Sequence, residues 1–188
     1  MLVTRLCFLC SAILCLLCTV SPIFAQSLGS RKAEKVFADS VVEYVQMQHA
    51  LERSTPAQGP TTESEKLAGR QHALAARIAA ARLGARQGDI FTRDVAKEFV
   101  KIIRKAFKEP GGRAMRKTIR ERNPVTFVVL HVNGVYPEDL TRTTMPPTLL
   151  RRLPALPEEL AYRIIGRTLV LEDIEANLVV DFIPNAIP

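Results

Sequence analysis

Four carboxylates, Glu172, Asp173, Glu175 and Asp181, stand among aliphatic residues in the closing stretch YRIIGRTLVLEDIEANLVVDFIPNAIP. A pair of carboxyl groups facing one cleft can divide acid and base work, one donating a proton while the other accepts or attacks. Asp173, Glu175 and Asp181 are the candidates for such a polar cluster, with His131 as a helper. The spacing does not select a pair. EDIEAN places three carboxylates and an amide in a turn, but it lacks the length, the glycine and the alternating acids of an EF-hand loop. A polar hairpin tip is the simpler reading. Asp181 differs, because it sits inside an apolar strand and needs a partner if its face is covered. Arg163 and Arg167 are the nearest candidates.

Other chemistries lack their residues. The chain has no serine after Ser64, and no serine lies in a G-x-S-x-G turn. The three histidines, His49, His72 and His131, are far apart and form no H-x-H or H-E-x-x-H pair. EPGGRAMRK is neither a P-loop nor a dinucleotide fingerprint. No metal, cofactor or catalytic residue is therefore assigned from the sequence.

The strongest physical anomaly is charge. Between residues 93 and 122 there are eleven Lys/Arg and four acids, a net of +7, equal to the net charge of the whole chain. Such a segment attracts anions. Lys101, Arg104, Lys105, Arg113, Arg116, Lys117 and Arg120 are the candidate binding residues. No tryptophan and only three tyrosines accompany them, so a stacking platform for specific nucleic-acid binding is not expected.

Residues 1–25 read as a signal peptide: one charge at Arg5, the apolar run LCFLCSAILCLLCTV, then Pro22 and a small residue at Ala25. Cleavage is expected near Ala25, sending the protein to the periplasm or the cell exterior. All four cysteines lie in that segment, so the exported chain is expected to use no disulfide and no thiolate. The remaining 163 residues suffice for one domain.

The elements that position these groups fall in two regions. Residues 26–122 are helical. After a polar lead at 26–30, Ala33, Phe37, Val41, Tyr44, Gln48 and Leu51 recur three or four apart over 31–53, with Gln48 the only polar member. A second helix starts from the capping box Thr62–Glu65, with Leu67, Leu74, Ile78 and Ala81 on its apolar side. Its alanines permit close approach of a neighbour, and self-association through the N-terminal helices is one expectation. A third helix follows Thr92 as cap, and a fourth spans 113–122.

Residues 123–188 are β-rich. VTFVVLHV reads as a strand covered on both faces, followed by a turn at Asn133-Gly134. A proline-rich connection with a helical turn near PPTLLRR leads to a three-stranded meander, with Gly166-Arg167 as a type II′ hairpin loop. In the last strand, Leu178, Val180 and Phe182 are expected on one face and Asn177, Val179, Asp181 and Ile183 on the other. Helices before strands predict an α+β fold, three or four N-terminal helices packed on a small, mainly antiparallel C-terminal sheet with one shared core.

The segment MPPTLLRRLPALPEELAYRIIGRTLVLEDIEANLVVDFIPNAIP resembles the ending of a group of uncharacterised secreted bacterial proteins, which share a PEELxYRxxGRxLVLxD hairpin and an ANLxVDFI strand. The resemblance implies an exported bacterial protein and carries no reaction or functional residue. The leading reading is an exported, non-catalytic binding or accessory protein whose partners are anionic lipid, lipopolysaccharide or wall polymer. The alternative is a carboxylate-dependent hydrolase of cell-wall or extracellular glycan.

Overall fold

The structure, a computed structural model, describes residues 22–54, 63–123, 128–137 and 145–188. The expected signal-peptide core with its cysteines, the Thr62 cap and the start of VTFVVLHV lie outside these residues. Among the described residues five helices precede a three-stranded sheet: α1 Pro22–Arg53, α2 Glu63–Ala81, α3 Arg93–Lys108, α4 Gly112–Arg122 and α5 Pro147–Leu150, then β1 Leu160–Ile165, β2 Thr168–Asp173 and β3 Leu178–Ile183. The fold is α+β. The sheet is an antiparallel meander in the order β1-β2-β3.

Helix α1 begins at Pro22, so residues 26–30 are helical rather than a lead. Proline is tolerated there because the first helical N–H has no intrahelical partner. Its buried residues, Ala33, Phe37, Val41, Tyr44 and Gln48, follow the stripe read from the sequence. In α2 the stripe is shorter: Leu74, Ala75 and Ile78 are buried, whereas Leu67 is 60% exposed. Helix α3 buries Val95, Phe99, Ile103, Ala106 and Phe107. Thr92 occupies its N-cap but makes no side-chain cap bond; only its carbonyl contributes, accepting from the Ala96 N–H at 2.8 Å.

The core is built on an aromatic cluster. Phe37 of α1 lies 5.0 Å from Phe99 of α3 and 5.6 Å from Phe91, and Phe99 lies 5.9 Å from Tyr162 of β1, all centroid to centroid. These are favourable aromatic separations, worth about 0.5–1.5 kcal/mol per pair beyond burial. Leu160, Tyr162, Ile164, Leu169, Leu171, Leu178 and Val180 join this core from the sheet.

The sheet's opposite face carries a second, smaller core of Tyr136, Ile165, Val170 and Val179. The cover here is the segment 128–137. The expected strand is not formed over 128–132, and Val129 is 64% exposed. Pairing occurs later instead: Asn133 N–H and Tyr136 N–H donate to the Val179 and Asn177 carbonyls, and Val179 N–H donates to Gly134 O. The turn at Asn133, with φ of 62°, directs residues 133–136 along the edge of β3.

Gly166 has φ of 57° while Arg167 stays at negative φ, which fits the expected type II′ loop over type I′. The alternation expected in β3 is broken. A bulge between Leu171/Glu172 and β3 pairs Leu171 with Asp181 and Glu172 with Val179, leaving Val180 as the extra residue. Val180 and Ile183 therefore both reach the main core, and Phe182 packs on the second one. Asp181, opposite Leu171, turns toward the helices.

Candidate functional site

Asp181 is fully buried. Its Oδ1 accepts the Gly88 N–H at 2.9 Å and the Phe182 N–H at 2.8 Å; its Oδ2 accepts the Ile90 and Phe91 N–H groups at 3.0 and 2.7 Å. Successive amides of a turn converge on one anion, an arrangement that positive φ at Gly88, 94°, makes accessible. Neither arginine expected as its partner is used. Arg163 pairs with Glu172 on the other face, and Arg167 donates to Ile187 O. Asp181 is thus a brace that holds the approach to α3 against the bulge, with all its bonds directed at backbone.

His131 is exposed on the segment 128–137 and lies in the other layer. The expected cluster of Asp173, Glu175, Asp181 and His131 therefore divides. Asp173 and Glu175 stay together, and the residues that join them come from helix α1 and from the lead into β1. Tyr44 Oη donates to Asp173 Oδ2 at 2.7 Å, Gln48 Nε2 donates to Glu175 Oε2 at 3.0 Å, and His49 Nε2 lies 2.6 Å from Glu159 Oε1. The α1 residues span little more than one turn, so one helix face meets one end of the sheet.

Asp173 also closes the β2–β3 turn, its Oδ1 accepting the Ala176 N–H at 2.8 Å. Burial pushes the Asp173 carboxyl up from its ordinary value against the pull of its hydrogen bonds, and nearby Glu159 adds to the rise. Glu175, exposed in the β2–β3 turn, is also raised, first by partial desolvation and then by Glu52 and Asp173. The Tyr44 phenol is pushed far up by burial and by Asp173, so it is a fixed donor. Gln48 Oε1 and Glu159 Oε2 are buried without a donor among the described residues.

Gln48 was the visible signal of this cluster, the one polar member of an apolar stripe. Glu159, Tyr44 and His49 carried none. Arg82 was likewise unmarked. Its guanidinium donates to Asn133 Oδ1 at 2.8 Å and to the Val180 carbonyl at 3.3 Å, and lies 5.1 Å from the Tyr44 ring centroid. It supplies donors to the carbonyl at the bulge, where the ladder is interrupted. Among the described residues no three His, Cys, Asp or Glu side chains are gathered closely enough to hold a metal ion.

The basic candidates lie on α3 and α4, away from Asp173 and Asp181 in sequence. Lys101, Arg104 and Lys105 on α3, and Arg113, Arg116, Lys117 and Arg120 on α4, are all exposed. The acids of the segment are each engaged: Asp94 with Lys97, Glu98 with Lys101, Glu109 with Arg152 and Glu121 with Lys117. Arg104, Lys105, Lys108, Arg113 and Arg120 are exposed and have no acidic partner among the described residues. Arg116 of α4 lies over the Phe107 ring at the end of α3, 5.5 Å from its centroid.

The chain is a small α+β protein in which Tyr44, Gln48 and His49 of the first helix meet Asp173, Glu175 and Glu159 at one end of the sheet. Compared with protein-family models, curated proteins and solved structures, the chain matches none. Among the described residues no helix is long and apolar enough to cross a membrane.

Proposed function

We propose that this is an exported, non-catalytic binding protein that attaches to anionic envelope surfaces through the exposed face of α3 and α4. The carrying observation is the charge balance of that face. Every acid in 93–122 is engaged in an ion pair, while Arg104, Lys105, Lys108, Arg113 and Arg120 have no such partner among the described residues. A row of uncompensated cations on two adjoining helices raises the local potential and draws anionic groups. Each cation near an anionic bilayer is worth about 1 kcal/mol. The alternative, a carboxylate-dependent hydrolase, draws less support. Asp181 directs its bonds at backbone amides, and Asp173 is fully buried beneath Tyr44.

The test is sedimentation of residues 26–188 with vesicles containing phosphatidylglycerol. The variant Arg104→Gln, Lys105→Gln, Arg113→Gln, Arg120→Gln removes four of the free cations and should weaken binding by about a hundredfold or more. Equal sedimentation of wild type and variant would sink the reading. Binding should also fall steeply with salt, because these charges are exposed and screened.

A further inference from the structure

Three side-chain contacts fasten the C-terminal part of α1 to one end of the sheet, and each ends on a carboxylate: Tyr44 on Asp173, Gln48 on Glu175, His49 on Glu159. A fourth carboxylate, Glu52, lies a turn beyond Gln48 and faces Arg70 of α2 at 3.3 Å. The other cation against the cluster is Arg82, over the Tyr44 ring.

Acceptors therefore exceed donors. Gln48 is 0% exposed and Glu159 is 9% exposed, yet Gln48 Oε1 and Glu159 Oε2 have no donor among the described residues. A buried acceptor without a donor is costly. An added proton remedies the deficit in two ways: it cancels one of several crowded negative charges, and it turns a carboxylate from acceptor only into a donor.

We infer that the Asp173–Glu175–Glu159 cluster is a proton-operated latch, in which proton uptake tightens the C-terminal part of α1 against the sheet and proton loss loosens it. The rise of the Asp173 and Glu175 carboxyls is in keeping with this geometry. A folded-state pKa above the unfolded value means that the folded state binds more protons. Stability from these groups is then lowest above the folded pKa and is gained as pH falls toward the unfolded value near about 4.

Hydrogen exchange of the full chain, followed by mass spectrometry at about pH 7.5 and about pH 5.5 and corrected for intrinsic exchange, tests the latch. Amides of residues 44–53 should exchange about tenfold more slowly at the lower pH, relative to amides of α3 as internal control. Glu175→Gln keeps an acceptor for Gln48 and removes one charge, and Glu159→Gln does the same beside His49. Loss of the pH step in either variant supports the latch. A pH step of equal size in α1 and α3, faster corrected exchange of 44–53 at the lower pH, or an unchanged step in both variants would overturn it. Both substitutions are chosen over Asp173→Asn because Asp173 also closes the β2–β3 turn.

Discussion

Tyr44 donates its phenol to Asp173 across 129 positions of chain, at 2.7 Å, and so ties the first helix to the last hairpin. Replacing Tyr44 by Phe leaves Asp173 Oδ2 buried without that donor. The expected loss is about 1–3 kcal/mol at neutral pH. The hydrogen bond from Tyr44 lowers the Asp173 carboxyl, so its removal lets that carboxyl rise further. The loss should therefore shrink as pH falls and Asp173 takes a proton. Urea unfolding at neutral and mildly acidic pH checks both size and sign.

Asp181→Asn should be among the costliest single changes to the sheet. The carboxylate accepts four backbone N–H groups, and an amide presents one NH2 where an oxygen is required. A loss of about 2–3 kcal/mol is expected from leaving buried donors unpaired. Denaturant midpoints measure it, and local exchange at residues 88–91 should rise.

Arg82 discriminates charge from shape. Its planar fork reaches Asn133 Oδ1 and Val180 O together, while Asn133 Nδ2 donates back to Arg82 O at 2.9 Å. Arg82→Lys keeps the charge and loses the fork. It should recover less than half of the stability lost in Arg82→Ala, which is expected to cost about 2 kcal/mol. Thermal unfolding of the two variants side by side decides this.

Two glycines should respond oppositely to alanine. A Cβ at Gly112 would sit 2.2 Å from the Phe107 carbonyl oxygen, a backbone atom at the α3–α4 junction. Gly112→Ala should displace α4 and cost about 3 kcal/mol or more. At Gly84 a Cβ meets nothing within 4 Å, and its φ is not positive. Gly84→Ala should be neutral or stabilise by about 0.5 kcal/mol through the unfolded chain. Urea midpoints separate the two.

The free cations of α3 and α4 should contribute nothing to folding. Arg104→Gln or Lys105→Gln should leave stability within about 0.5 kcal/mol of wild type or raise it slightly, since each relieves like-charge repulsion. Lys101→Gln removes only an exposed pair with Glu98 and should also stay within about 0.5 kcal/mol. Stability measured beside vesicle binding keeps loss of function apart from loss of fold.

Local pattern was enough for much of this protein. The spacing of Phe37, Val41 and Tyr44, the third and fourth helices and the Gly166-Arg167 hairpin each depend on a few neighbouring residues, and all were legible in the sequence. So was the positive charge of residues 93–122, because charge needs no partner to be counted. The partners of buried polar groups were not legible in that way. One extra residue at the bulge turned Asp181 toward the helices, reversing the face that strict alternation assigned to it. Its four amides, three of them from residues 88–91, leave no mark in residue types, since any residue but proline offers an N–H. Tyr44, Glu159 and Arg82 became members of one end of the molecule only when α1, α2 and the sheet were brought together. Secondary structure follows from periodicity along the chain; which carboxylate meets which donor is decided by convergence across it.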